Sequence, residues 1–210
     1  MGLKVPARKF EWELFMYIVI EGVDTSGKTT QIEILKEKFS EAIFTKEPGG
    51  SELGREIRKI LLDGEVKSKN AELLLFLADR AEHYDSLIKP NIGKMIFSDR
   101  SFISGIAYAM ANNQDINIDF LISLNLFVLE NKLPDLVVLL KTNEKLIKSR
   151  MSEKNEDNIE KRGVDYLLWV QNCMENILRR LDIDYLLIDS SNSVEIISQK
   201  IDLEIKNRKK

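Results

Sequence analysis

Residues 17–30 read YIVIEGVDTSGKTT. The first five are mostly apolar and partly β-branched and predict a strand, while the pattern from Lys28 onward turns helical. Between them Gly22-Val23-Asp24-Thr25-Ser26-Gly27-Lys28-Thr29 matches G-x-x-x-x-G-K-[ST], with the strand before it and the helix after it that this spacing requires. The spacing has a physical reason. Glycines let backbone N–H groups converge on phosphate oxygens, and the helix N-terminus adds its partial positive charge. Lys28 is placed to reach the β- and γ-phosphates of a nucleoside triphosphate, and the Thr29 hydroxyl to enter the shell of a Mg²⁺ ion. Thr30, which closes this nucleotide-binding run, reads as a packing residue.

Outward from this loop, apolar β-branched runs at 42–45, 94–98, 136–140 and 185–188 alternate with helical segments, one of them predicted over 70–89. Alternation of this kind predicts an α/β fold: a five-stranded, mainly parallel sheet flanked by helices in three layers. No linker divides it, so 16–210 read as one domain. Residues 1–15 follow no periodic pattern and read as an extension outside that domain. The polar stretch 151–162, MSEKNEDNIEKR, reads either as a mobile lid or as a solvated helix face.

Composition narrows the function classes. The chain has 210 residues, 44% hydrophobic and 31% charged, the mix of a globular protein. Near its start the longest apolar run, 14–20, is far shorter than the roughly 20 residues that span a bilayer. One cysteine, Cys173, excludes an internal disulfide and a cysteine-based zinc site, and one histidine, His83, excludes a histidine-rich metal site. His83 itself reads as a partly buried polar residue. The net charge of −3 gives no broad basic field for nucleic acid, so an anionic ligand must meet locally placed cations. Neither nucleic acid nor membrane is an expected partner. With no apolar leader and small-residue cleavage site, the expected location is the cytoplasm.

A phosphate-binding loop names a ligand, not a reaction. The base-reading N-K-x-D pattern of GTPases fails, because Asn131-Lys132-Leu133-Pro134 puts Pro134 at the acidic position, and no L-S-G-G-Q string is present. What remains is a nucleotide or small-molecule kinase. A second element, KMIFSDR at 94–100, ends a strand in Asp99-Arg100 at the edge of the sheet that faces ligands. Asp99 is suited to Mg²⁺ and Arg100 to phosphate; a surface salt bridge is the alternative. In the helical segment 71–84, Phe76 and Arg80 lie four apart on one face. Stacking and hydrogen bonding to a heteroaromatic base is one reading of them, and a core phenylalanine with a snorkelling arginine is the other.

Taken together, these residues resemble the bacterial thymidylate kinase family over nearly all of 17–210. The features occur in order: the P-loop with Asp24, the loop Thr45-Lys46-Glu47-Pro48-Gly49-Gly50, the pair Ile57-Arg58, the run Leu75-Phe76-Leu77-Ala78-Asp79-Arg80, and the string from Asp99 to Tyr108. The resemblance implies a homodimeric P-loop kinase that phosphorylates dTMP to dTDP with Mg·ATP, on the route to dTTP, by direct in-line transfer. It implies that Phe76 stacks on thymine, Arg80 bonds its O4, Arg58 and Arg100 grip the dTMP phosphate, and Asp24 faces the 3′-hydroxyl or the acceptor end of the transfer. It further implies that Tyr108 lies under the deoxyribose, Glu47 lies near the acceptor phosphate or its metal, and Ser104 lines the pocket.

The chain also departs from the family pattern. Ser101 stands where a tyrosine is frequent, and at Gly105 and Ala109 it lacks the polar side chains that many bacterial members turn to the thymine edge. Thr25 occupies the P-loop position where some members carry a catalytic arginine. Arg150 or Lys154, from the lid region, is therefore expected to close on ATP. The readings left open are a kinase for another nucleotide or metabolite and a P-loop module without transfer activity.

Overall fold

The computed structural model describes residues 16–64, 66–151 and 163–208. The expected extension, 1–15, and nearly all of the expected lid, including Lys154, lie outside the described residues. At the centre is β1 (Met16–Glu21), buried along its whole length, as a strand with parallel partners on both sides must be. The sheet runs β2 (Ile43–Lys46), β3 (Met95–Asp99), β1, β4 (Leu136–Lys141), β5 (Tyr185–Asp189), and every pairing is parallel. Each strand lies within one residue of its predicted bounds. Strand order reverses at β1, between β3 and β4, so a crevice opens beyond the carboxyl ends of these three strands.

The two-residue period of β1 divides the core. Tyr17 and Val19 face a cluster containing Phe102, Ile106, Leu121, Val137, Met174 and Ile177. These come from α4 (Phe102–Asn112), α5 (Ile118–Val128) and α7 (Val164–Arg180) as well as the sheet. Ile18 and Ile20 face the opposite cluster with Leu35, Phe97, Val138 and Ile201, covered by α1 (Lys28–Lys38) and α8 (Val194–Asn207). The predicted three layers are thus present.

The remaining described α-helices are α2 (Glu52–Asp63), α3 (Lys69–His83) and α6 (Glu144–Met151). Ser51 and Ser68 cap α2 and α3, their hydroxyls accepting from Gly54 N and Ala71 N. One correction concerns the helix predicted over 70–89. The α-helix stops at His83 and continues as a π-helical turn, Tyr84–Ile88, and a short 3₁₀ turn, Lys89–Asn91. Pro90 cannot donate to the Ser86 carbonyl and its ring crowds it, which loosens the final turns. Among the described residues no helix is long and apolar enough to cross a membrane.

Candidate active site

The loop between β1 and α1 is shaped by close approach. A Cβ at Gly22 would lie 2.5 Å from Ser26 Oγ and 2.8 Å from the Leu140 carbonyl, and Gly27 has φ +95°, so both positions need glycine. Lys28 is buried at the start of α1, where its Nζ donates to the Gly22 and Val23 carbonyls at 2.8 and 3.0 Å. Burial, reinforced by Arg100, lowers its pKa to about 8. Thr30 is exposed, not packed, because α1 turns this face outward.

Asp99 and Arg100 end β3 beside this loop, as strand position predicts. Arg100 holds φ +70°, a strained value for a side-chain-bearing residue. Its N–H donates to Ile20 O at 3.0 Å and its carbonyl accepts from Ser98 Oγ at 2.8 Å, which pin that conformation. The guanidinium donates to Gly22 O and Ser104 Oγ and pairs with Asp24. Tyr108 lies under it, 5.8 Å from ring centre to Cζ. Arg150, on α6, reaches the loop from above, donating from Nη1 to Thr25 O at 2.6 Å.

Two clefts flank the loop 47–50. The first, about 590 Å³, is lined by Asp24, Glu47, Arg58, Phe76, Arg80, Arg100, Ser104 and Tyr108, together with Pro48, Leu62, Ser101 and Gly105. Every side chain that the resemblance assigns to the monophosphate therefore meets in one place. Arg58 is braced there by the Pro48 carbonyl at 2.9 Å. The second, about 850 Å³, is lined by Thr29 and Asp99 with Thr45, Lys46, Gly49 and Gly50 among others. Asp99 Oδ1 is buried with no hydrogen-bond partner among the described residues. An acceptor oxygen left unmatched on a residue that lines this cleft together with Thr29 suits a hard cation, and Mg²⁺ is commonly held by one or two protein oxygens plus phosphate.

Glu21, Asp79 and Asn125 are site residues not evident from the sequence, and neither are the partners of His83 and Glu47. His83 is wholly buried, not partly: its Nδ1 is 3.1 Å from Glu47 Oε1 and its Nε2 is 2.7 Å from Thr45 Oγ1. Glu47 lines the first cleft, but both its oxygens are engaged, Oε2 by Arg80 Nε at 2.8 Å. Burial alone would raise the Glu47 carboxyl, yet Arg80 and His83 hold it below its ordinary range. Glu21 is buried at the end of β1, where Oε1 accepts from Ser101 N, Ser101 Oγ and Ser104 N and Oε2 from Ser104 Oγ. Asp79 is buried and accepts from Gly49 N at 2.8 Å. Asn125 of α5 accepts from Arg80 Nη1 at 2.7 Å. The one signal for Asn125 was a lone amide in the apolar run 118–128; the partners of the others join segments far apart in sequence.

The arrangement suits phosphoryl transfer between two nucleotides held end to end, and comparison with known proteins agrees. The family model described as Thymidylate kinase matches residues 20–201. A thymidylate kinase from Campylobacter concisus is 51% identical over 189 residues, covering 89% of this chain and 97% of its own length. One from Sulfurovum sp. is 50% identical over 186 residues, with the same coverage. Among solved structures, thymidylate kinase from Ehrlichia chaffeensis superposes with a TM-score of 0.74 at 25% identity, covering 91% of this chain and 98% of its own.

Proposed function

The chain belongs to the thymidylate kinase family, and we propose that it transfers the γ-phosphoryl group of Mg·ATP in line to the 5′-phosphate of dTMP, giving dTDP. What supports this reading is that all eight side chains assigned to dTMP line one cleft beside the phosphate-binding loop. In it Phe76 stacks on thymine, Arg80 donates to O4, and Tyr108 lies under the sugar. Arg58 and Arg100 hold the acceptor phosphate, with Asp24 orienting Arg100 and Ser104 lining the cleft. The backbone and side chains of 22–30, above all Lys28, hold the ATP phosphates. Arg150, already at the loop, carries the additional positive charge. Lys154 is the lid cation assigned the same role.

Thr29 and Asp99 hold the metal. Mg²⁺, when bound, neutralises charge on the donor phosphates. The protein groups then act by alignment and by fixed cations at the equatorial oxygens, with no covalent intermediate on the chain. Residues 16–210 act as one kinase domain with the lid at about 151–162. The two nucleotide substrates imply a cytoplasmic location.

The reading includes a homodimer through α3 and α5. Phe127, Phe120 and Leu74 are 80%, 55% and 62% exposed, an apolar face suited to a second copy.

A substrate panel tests the function: ADP release at saturating Mg·ATP with dTMP, dUMP, dGMP and thymidine. The highest kcat/KM is expected for dTMP, and a strong preference for any of the others would overturn the reading.

A further inference from the structure

Arginine presents three nitrogens in a rigid plane, and where that plane points depends on how many are tied down. In Arg80, Nε is bound by Glu47 and Nη1 by Asn125. Nη2 has no acceptor among the described residues, although the side chain is only 3% exposed. With Glu47 alone, a single hydrogen bond at Nε would still let the guanidinium plane pivot about the Nε–H···O direction. The second tie fixes the plane, and Nη2 is the donor left over.

Asn125 is itself fixed. Its Nδ2 donates to Leu121 O at 2.7 Å, one turn back on α5, so Oδ1 must face Arg80. It is 2% exposed within a helix otherwise built from apolar residues on its inner face. A buried amide is costly unless both its ends are bonded, and here both are. From the opposite side, Gly105 of α4 leaves the guanidinium its space: a Cβ there would come within 2.8 Å of Nη2 and 3.2 Å of Nη1. The side chain is thus held on one side by α5 and admitted on the other by a missing methyl group.

We propose that Asn125 is a positioning residue for base specificity, aiming Arg80 Nη2 at the 4-position of the pyrimidine with Gly105 providing the room. The inference rests on the reading that Arg80 faces the base. A fixed donor accepts a 4-oxo pyrimidine, whose oxygen is an acceptor, and rejects a 4-amino pyrimidine, whose NH₂ group opposes it and leaves a buried donor unpaired.

The test compares dTMP with dCMP as substrate or competitive inhibitor, using the full chain with saturating Mg·ATP. Asn125→Leu keeps the branched shape, with somewhat greater bulk, and removes the acceptor. It is expected to cut the dTMP preference by about ten- to hundredfold, the range for a hydrogen bond to a charged group, mainly through KM. Asn125→Asp keeps an acceptor and should retain the preference. Gly105→Ala displaces the guanidinium without touching α5 and should reduce the preference as well, which decides the matter if the leucine variant does not fold. A folded Asn125→Leu or Gly105→Ala enzyme with unchanged preference would overturn the proposal, as would a variant that loses kcat alone. Arg80→Ala separates the two levels: if it leaves the preference intact, base reading by Arg80 is wrong; if it abolishes the preference while Asn125→Leu does not, only the positioning role fails.

Discussion

Lys28 was legible as a phosphate ligand from its spacing alone, but its electrostatic state was not. Its lowered pKa of about 8 arises mainly from burial, with Arg100 adding repulsion, and both depend on how distant strands meet. The sign follows directly. The charged form is the one that holds phosphate, and it is lost as pH rises through the pKa. kcat/KM for ATP reports the free enzyme, so it should fall above about pH 8, and Lys28→Met should lower kcat at least about a hundredfold. Bound phosphate favours the ammonium, so the break in kcat should move to higher pH. A kcat/KM profile that stays flat well above pH 9 would contradict this. Gly105 shows the converse case. The sequence marks the missing polar side chain there, while the structure shows that the space belongs to Arg80.

At the scale of elements, the N-terminus of α4 carries much of the site. Ser101 caps it, accepting from Ile103 N at 3.2 Å, and also donates to Glu21 from its own hydroxyl. Glu21 thereby ties the end of β1 to the first turn of the helix that bears Ser104, Gly105 and Tyr108. Its carboxyl is raised by burial and drawn back by the Ser104 and Ser101 bonds and Arg100, an arrangement that no local pattern in 16–22 announces. Removing it strands several buried donors at once. Glu21→Ala should therefore destabilise the protein by about 3 kcal/mol or more, against a much smaller loss for Glu21→Gln, which keeps an acceptor. Urea midpoints for the two variants measure the difference, and equal losses would show that the bonds matter less than the volume. The helix predicted over 70–89 is instructive too. Its helical character was readable, but its change of pitch after His83 required weighing Pro90 against the preceding turns.

For the whole molecule, the near-neutral charge of −3 conceals a local concentration of cations, because Lys28, Arg58, Arg80, Arg100 and Arg150 come from five different elements or their ends. Each is partly matched by protein acceptors, which keeps the arrangement tolerable until phosphates arrive. The apolar face of α3 and α5 belongs to this scale as well. Phe120 and Phe127 are seven residues apart, two helical turns, and so share a side of α5. Sedimentation should show a dimer, and Phe127→Glu should shift it toward monomer by placing a charge on that face. A wild-type chain that sediments as a monomer at micromolar concentration would rule the interface out.

The sequence by itself determined the strands of the sheet to within a residue and the phosphate-binding loop, and its family resemblance named eight side chains that line one cleft. These rest on short-range facts: the period of apolar residues, the glycine spacing of a tight turn, and strings of residues that lie close along the chain. Only the tertiary structure decided how those side chains are held. Arg80 is aimed by Glu47 and Asn125, Arg100 is pinned by β1 and Asp24, His83 is enclosed by Glu47 and Thr45, and Glu21 is bound to α4. Each of these contacts joins segments more than 30 residues apart, and a buried polar group takes whatever partner the folded chain brings within about 3 Å of it. Local pattern carries the fold, while the pairing of buried polar groups waits on the packing of the whole chain.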